Sequence, residues 1–542
     1  MKTKFFVVAF FFSLLAAHAT VRTWDGGGTN NNFWSNALNW SANVAPVAGD
    51  DLVFPAGAAQ VSNTNDFPAG TLFNTITISS NSYSIVGNAI LINKGVHGTF
   101  ASSFANFGLP MTLVTSQTFT NSGNARLQFN GPITNAGFTL TLQINAGTNL
   151  FQIGASIHGA GGLIKNGTGL LRFTGIESNT YSGTTFVNAG TVELAKNPLV
   201  VSIPGPLVIG DGIGGTNADV LNNIGGHQIA DTSPVTINSS GLLIVAVSDT
   251  MGGLTGNGNV SLTGNSCSVN LAAGTNIFSG TISGGAGLGF TKSGAGTMIL
   301  TGTNTYLGQT VVQGGIMQID GFQPNSYVYL GGTTRLRGSG TVGSIEMNGS
   351  SSRVSPGTSP GILTCNHYKL GAGSGFLDIE LNGINPGSGY DQVKASGNIN
   401  LSSVSLNVSL NFPSARSNQF VIVNNLGANP VSVPFNALPE GTVFFVAPEQ
   451  FRISYVGGDG NDVVLTQITG SLPQLFVDRV PTNAVRLSWA TNFSLGFNLE
   501  SNSNLTTTNW INVAPASTVI GTNNVVTNPI TAAQTFYRLR KN

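Results

Sequence analysis

Two acidic residues lie two positions apart in the segment GFLDIEL, residues 375–381. Alternate residues of a β-strand point to the same face, so Asp378 and Glu380 share one face, and Asp391 follows nearby in the chain. Paired carboxylates can cleave a glycosidic bond. The apolar residues that alternate with these carboxylates fit an ordinary amphipathic strand, and we predict a structural role for the cluster.

Three tryptophans, Trp24, Trp34 and Trp40, lie close together near the start of the chain. Aromatic faces exposed on a β scaffold could stack on sugars, which makes these residues candidates for ligand contact. The same side chains could instead plug the open end of a stacked fold. We favour the plug.

Metal and cofactor sites have weak support in the sequence. The segment GGDGNDVVL, residues 457–465, fits one copy of a calcium-binding nonapeptide, but such sites need successive copies and no tandem partner is present. We therefore predict a turn there, with no metal and no cofactor. The histidines after residue 19 are scattered singly: His97, His158, His227 and His367.

Charged residues make up only 8% of the chain, with 21 basic and 21 acidic side chains. A nucleic-acid-binding protein needs clustered Lys and Arg, and this balance excludes that class. The densest basic set is Arg335, Arg337 and Arg353, of which the first two fit the outward face of one strand. Lyases need such basic residues grouped with acidic ones on one wall, and we expect no enzyme here.

The first nineteen residues have the order of a secretory signal peptide. Lys2 and Lys4 precede an apolar run, and Ala17-His18-Ala19 supplies small residues at alternate positions for cleavage. We predict a signal peptide over residues 1–19, export to the outside of the cell, and no transmembrane segment after cleavage. Cys267 and Cys365 each lie in an alternating segment, and we expect buried free thiols.

Short runs that alternate apolar and polar residues, such as LTLQI at 140–144, follow one another between Gly and Asn turns. This period of two predicts many short strands. The same pattern of short strands and turns continues over more residues than one sandwich or barrel domain contains, which favours a solenoid.

Two segments, residues 163–194 and 290–319, repeat each other in phase. A unit of three short strands cannot bury its apolar side alone, so it must stack on its neighbours. The aligned pairs are Lys165 with Lys292, Gly167 with Gly294, Gly169 with Gly296, Asn179-Thr180-Tyr181 with Asn304-Thr305-Tyr306, Thr185 with Thr310, and Gly190 with Gly315.

Both copies resemble the autotransporter-associated β-strand repeat of large exported bacterial proteins, with repeat cores at about 159–196 and 284–321. The Trp-rich opening and the segments 353–410 and 440–466 resemble the usual start and close of such proteins. The resemblance implies a right-handed parallel β-helix, expected over residues 20–468, and it implies no catalysis. Family members usually end in a translocating β-barrel, which we do not expect in residues 471–542.

The sequence pattern changes in residues 471–542, and it predicts the strands of a small β-sandwich there. Their layout resembles the fibronectin-III-like modules of exported bacterial proteins, with Trp489 as core anchor.

The leading hypothesis from the sequence is therefore a secreted or cell-surface, adhesin-like structural protein of the all-β class, without catalytic activity. The alternative is an extracellular carbohydrate-binding protein that contacts polysaccharide or cell-surface components. A polysaccharide lyase or hydrolase built on a β-helix is a third, less favoured class.

Overall fold

The computed structural model describes residues 19–145, 150–349, 351–368, 374–469, 473–491 and 497–541. Its regular structure is almost entirely β, with two single-turn 3₁₀ helices, Ala37–Asn39 and Ser41–Asn43. Across these residues, no helix has the length and apolar character needed to cross a bilayer. The predicted signal peptide, except for its last residue, lies outside the described residues.

The chain divides into two compact units, residues 1–270 with 276–290 and residues 271–275 with 291–542. In the first unit, eleven strands form one sheet in which every neighbour is parallel. Parallel neighbours need a crossover connection, and here one coil of chain supplies it. These strands are Ser62–Asn65, Ser84–Gly87, Phe104–Phe107, Arg126–Phe129, Leu150–Ile153, Leu170–Phe173, Gly190–Leu194, Asp219–Asn223, Gly241–Val245, Asn259–Leu262 and Thr281–Gly284.

A second set of parallel strands closes the coils of the first unit. Its members are Val21–Thr23, Asp51–Phe54, Thr71–Ile78, Ile90–Gly98, Met111–Leu113, Gln117–Asn121, Ile133–Thr134, Leu140–Ile144, Ile157–His158, Leu163–Asn166, Thr185–Val187, Leu207–Ile209, Pro234–Ile237 and Gly253–Gly256. Asp249–Met251 and Cys267–Asn270 form a further parallel pair. The strands Thr275–Phe278 and Phe290–Ser293 lie where the chain passes from one unit to the other.

The second unit begins with two more sets of parallel strands. One set is Thr297–Leu300, Ile316–Ile319, Arg335–Gly338, Ser352–Pro356, Gly375–Leu381 and Val404–Leu410. The other is Thr310–Val312, Phe322–Leu330, Thr341–Met347, Ile362–Tyr368, Gln392–Ala395 and Gln419–Asn425. Parallel pairing ends at this last strand, and the sheet continues with antiparallel strands, Asp462–Gln467, Glu449–Gly457 and Val443–Val446.

Two small antiparallel sheets complete the second unit. Leu487, Trp489, Leu499 and Val526 form their buried core, as the prediction of a core tryptophan requires. The assignment to the fibronectin-III type stays a prediction. The strands are Phe476–Val480, Ala484–Ala490, Thr518–Ile520 and Asn523–Pro529 in one sheet and Phe497–Asn502, Ile511–Asn512 and Phe536–Lys541 in the other.

Equivalent side chains of successive coils stack along the parallel strands. Phe129 lies between Phe107 and Phe151, with ring centroids 5.1 and 4.9 Å apart. On the outer face the Asn130 amide donates to the Asn106 side-chain oxygen at 2.7 Å. The predicted β-solenoid, with apolar stacks inside and amide ladders outside, is therefore confirmed.

The lysine of each repeat is buried, although lysine is seldom buried unless it has partners. Lys165 Nζ donates to the carbonyls of Gly167 in its own turn, at 2.6 Å, and of Ala189 in the next coil, at 2.9 Å. Lys292 likewise donates to one carbonyl of its own turn and one of the next coil, at 2.6 and 2.7 Å. Burial lowers the pKa of Lys165 to about 7. Each lysine thus ties two coils together at a glycine turn.

The tyrosine and threonine of each repeat also face inward. Tyr181 and Thr185 are buried and share a hydrogen bond of 2.6 Å between their hydroxyls, and Tyr306 and Thr310 do the same at 2.6 Å. The Asn179 amide donates to a backbone carbonyl of the next coil at 2.7 Å. Asn179 therefore joins two coils, the tyrosine and threonine bond each other inside one coil, and all of these buried side chains are unavailable to a ligand.

All three N-terminal tryptophans are fully buried. The Trp40 ring lies edge-on to Trp24 and Trp34, at centroid distances of 5.3 and 6.3 Å. Phe54 contacts all three indoles, and Phe73 packs edge-on against Trp34. These rings form one aromatic cluster inside the first coils.

Each indole N–H of this cluster donates within the protein. Trp24 bonds the Gln60 carbonyl at 2.7 Å, Trp34 the Asn63 side-chain oxygen at 2.7 Å, and Trp40 the Trp34 carbonyl at 2.8 Å. The candidate role of Trp24, Trp34 and Trp40 as ligand contacts is corrected here, because no indole face reaches the surface. The arrangement fits the alternative, an aromatic plug.

We expect Trp34→Ala to lower the free energy of unfolding by about 3–5 kcal/mol, because it removes a fully buried indole from an aromatic cluster. Phe33→Ala is the matched control, since Phe33 is 41% exposed and its removal opens no comparable cavity. Urea denaturation followed by circular dichroism measures both. Equal stability of Trp34→Ala and the wild type would contradict the buried plug.

Tyr181→Phe is expected to cost about 1–3 kcal/mol of stability, because it removes the hydroxyl that bonds the buried Thr185 hydroxyl. Tyr329→Phe serves as control, since the Tyr329 hydroxyl accepts from Asn348 at the surface. The shift in urea midpoint is the measurement. Equal shifts for the two variants would show that the repeat tyrosine does not stabilise the coil through its hydroxyl.

Candidate functional site

The predicted acidic strand is Gly375–Leu381, and its apolar residues point inward as expected while Asp378 and Glu380 point outward. Asp378 accepts hydrogen bonds from Arg353 at 2.7 Å and from Ser355 at 2.9 Å. Asn407 on the following strand donates to it at 3.0 Å. The Asp378 carboxylate is therefore held by three side chains from the two strands that flank its own.

Asp391 is close to the other two carboxylates in the chain but faces a different environment. It is buried and accepts the backbone N–H groups of Gly361 at 2.8 Å and Glu380 at 2.9 Å. The pKa of Asp391 is raised to about 7, mainly by burial and also by the charges of Glu380 and Asp378, against the opposing effect of these two hydrogen bonds. Glu380 itself accepts the hydroxyl of Ser359.

Arginine side chains from two adjacent strands lie beside this cluster. Arg335 pairs in register with Arg353, and its guanidinium lies 3.7 Å from Asp378. Arg337 lies two positions along the same strand, and its Nε donates to Gln318 at 2.9 Å. Together these side chains line a surface cleft of about 390 Å³. The acidic set and the basic set, separate in the sequence, thus form one site.

The geometry of the cleft suits binding better than acid–base chemistry. Glycoside hydrolysis needs two carboxyl groups that face the scissile bond, one to protonate it and one to attack or activate water. Here Asp378 is paired with Arg353, Glu380 accepts a serine hydroxyl, and Asp391 is buried and accepts two backbone N–H groups. The three carboxylates therefore hold the walls of the cleft together.

A serine, a histidine and a glutamate also meet in the first unit, which the sequence did not indicate. Ser156 Oγ lies 2.9 Å from His158 Nε2 and 2.9 Å from Glu177 Oε2. In a catalytic triad the acid orients the histidine through Nδ1, whereas His158 Nδ1 here contacts Thr180 at 2.8 Å. Ser156 is moreover buried, so the group has neither the connectivity nor the access of a nucleophile site.

One histidine lies beside two acids: the ligand atoms of His227, Asp231 and Asp249 are within 4.8 Å of one another. Burial raises the pKa of Asp249, and four N–H groups oppose that shift by donating to its carboxylate. Three of these donors bond Oδ2 and one bonds Oδ1, so most of the roughly four acceptor positions of the carboxylate are already taken by the protein. We assign no metal to this group.

The segment GGDGNDVVL, residues 457–465, forms the tight connection between the antiparallel strands Glu449–Gly457 and Asp462–Gln467. Asp462 accepts the backbone N–H of Asn425 at 2.8 Å. A calcium nonapeptide stacks between parallel coils, so this antiparallel hairpin is a turn, as predicted. Cys267 and Cys365 are free and buried, and burial raises the pKa of both thiols to about 12.

Comparison with known proteins places the repeats in a described family. Residues 163–194 and 290–319 match the Passenger-associated-transport-repeat. These are the two segments whose lysine, tyrosine and threonine side chains are buried between coils. The match therefore falls on the residues that build the solenoid.

Two curated relatives show similarity over part of their length. The chain is 29% identical over 357 residues to the "Adhesin BmaC autotransporter" of Brucella suis biovar 1 (strain 1330), which covers 61% of this chain and 9% of that protein. It is 46% identical over 90 residues to the "Extracellular serine protease" of Serratia marcescens, which covers 17% of this chain and 8% of the relative. The chain is thus an exported protein that carries passenger-associated-transport-repeats on a β-solenoid.

Proposed function

We propose that this protein is an adhesin-like structural protein of the cell surface that acts by binding and not by catalysis. The observation that carries the proposal is the inward direction of the repeat's polar residues. Lys165 donates to carbonyls of its own turn and of the next coil, and the Tyr181 and Thr185 hydroxyls bond each other in the interior. Such a coil stack presents a long, stable surface with few groups poised for chemistry.

The adhesin relative supports this proposal, and the protease relative does not oppose it. The match to the adhesin extends over 61% of the chain, whereas the match to the protease extends over 17%. A serine protease needs an accessible, activated serine. Ser156 contacts a histidine, but it is buried and its hydroxyl also bonds the glutamate directly, which is not the arrangement of a catalytic triad. Similarity to a short part of the protease is better explained by shared coils.

Carbohydrate binding through the tryptophans is not supported, because the solenoid buries all three of them. Binding to polysaccharide or cell-surface components therefore has to use the outward faces of the strands. Those faces include Asn, Thr and Gln side chains such as Asn106, Thr118 and Gln128, whose amides and hydroxyls both donate and accept hydrogen bonds.

Beads coated with the full chain, residues 20–542, should attach to cultured cells and to matrix-coated glass more than beads coated with a denatured sample. Ser156→Ala should leave attachment unchanged. Attachment no higher than that of the denatured sample would contradict the proposal.

The same preparation should release no new reducing ends from polysaccharides and no peptides from casein, because the carboxylates and the serine are occupied by structural contacts. Time-dependent release that Asp378→Asn or Ser156→Ala abolishes would overturn the non-catalytic part of the proposal.

A further inference from the structure

We propose that the cleft beside Asp378 binds a carboxylated polysaccharide, such as a polyuronate, laid along the coil axis. This inference rests on the proposed adhesin-like function and names the ligand class of one site. The cleft is built by the outward positions of four successive parallel strands: Arg335–Gly338, Ser352–Pro356, Gly375–Leu381 and Val404–Leu410.

Unused hydrogen-bond donors in the cleft come from two arginines. Arg337 uses Nε on Gln318, and among the described residues no protein group accepts from its two Nη atoms. Arg335 has a side chain that is 42% exposed and lies 3.7 Å from Asp378, beyond hydrogen-bond length. A guanidinium binds a carboxylate through two parallel N–H donors, so these groups suit an anionic ligand.

The acidic residues of the cleft do not cancel this positive character. The Asp378 charge is balanced by Arg353, which approaches to 2.7 Å and also covers the Phe376 ring at 4.4 Å. Asp391 lines the cleft but is only 2% exposed, and each of its carboxylate oxygens accepts a backbone N–H. The charged groups that remain are Glu380, with one negative charge, and Arg335 and Arg337, with one positive charge each. The open part of the cleft therefore has an excess of one positive charge.

Glu380 also narrows the choice of anion. One of its carboxylate oxygens accepts from Ser359, and within the described part of the chain no donor reaches the other. A ligand that satisfies both the arginines and this acceptor must carry a negative group and hydroxyl donors. An acidic sugar has both, whereas a bare sulfate ion has no donor at neutral pH.

The dimensions favour a chain over a single sugar. Parallel strands lie about 4.8 Å apart, so four strands span roughly 14 Å along the axis. The volume of about 390 Å³ lies within the range of small-molecule sites. Asn407 and Ser409, on the last of the four strands, add an amide and a hydroxyl at the far end of the cleft.

The test is a titration of the full chain with polygalacturonate oligomers, with a sulfated oligosaccharide and with neutral dextran as comparison ligands, followed by calorimetry. We expect binding of the uronate, weakening with added salt, and no binding of dextran. Arg337→Gln and Arg335→Gln should each weaken uronate binding about tenfold, in line with the loss of a charge-assisted hydrogen bond.

Arg172→Gln is the matched control, because Arg172 is 38% exposed, forms one surface ion pair with Glu193 and lies outside the cleft. It removes the same charge and should leave the dissociation constant unchanged, with all variants keeping the wild-type urea midpoint. No uronate binding, equal binding of dextran, binding of the sulfated ligand alone, or equal weakening by the control would each overturn the inference. Bead attachment without uronate binding would overturn this inference alone and leave the proposed function standing.

Discussion

The structure depends on one constraint: every coil must match the backbone and side chains of the coil beneath it. In a parallel stack the backbone N–H and C=O groups pair only with the neighbouring coils, so a turn that drifts by one residue would carry its apolar side chains to the wrong face. The repeats meet this requirement at the glycine turns. Gly167 and Gly294 have φ of +76°, and the lysine two residues earlier bonds their carbonyls.

This constraint also decides where function can lie. Inward positions are used for stacking, and the polar residues among them are used for bonds between coils. A binding surface therefore has to be made from outward positions, and each strand contributes only alternate residues to it. Residues one coil apart become neighbours, which is how Arg353 and Asp378, distant in the sequence, meet at 2.7 Å.

The periodicity of the sequence and its repeat were enough to predict the strands, the faces of their side chains and the stacking of coils. Alternation predicted the strand Leu140–Ile144 and the outward direction of Asp378 and Glu380, and the repeat predicted the stacked coils. The contacts across coils could not be predicted, because coil length varies and the pairing of Arg335 with Arg353 follows from the loop between them. The burial of Asp391 was missed for a similar reason, since it lies in a loop outside the alternating strand.

The buried lysines show why polar groups persist inside such a stack. Burial lowers the pKa of Lys165 to about 7, although the charge of Asp219 acts to raise it, and an apolar side chain of similar size would avoid this desolvation cost. An apolar replacement would, however, leave the carbonyls of Gly167 and Ala189 without the donor that now joins them. Only the native register brings both carbonyls to the amine. A buried lysine at the turn therefore penalises a slipped coil more than an apolar residue would. Its selectivity extends to a slip of two residues, which would keep apolar side chains on the inward face.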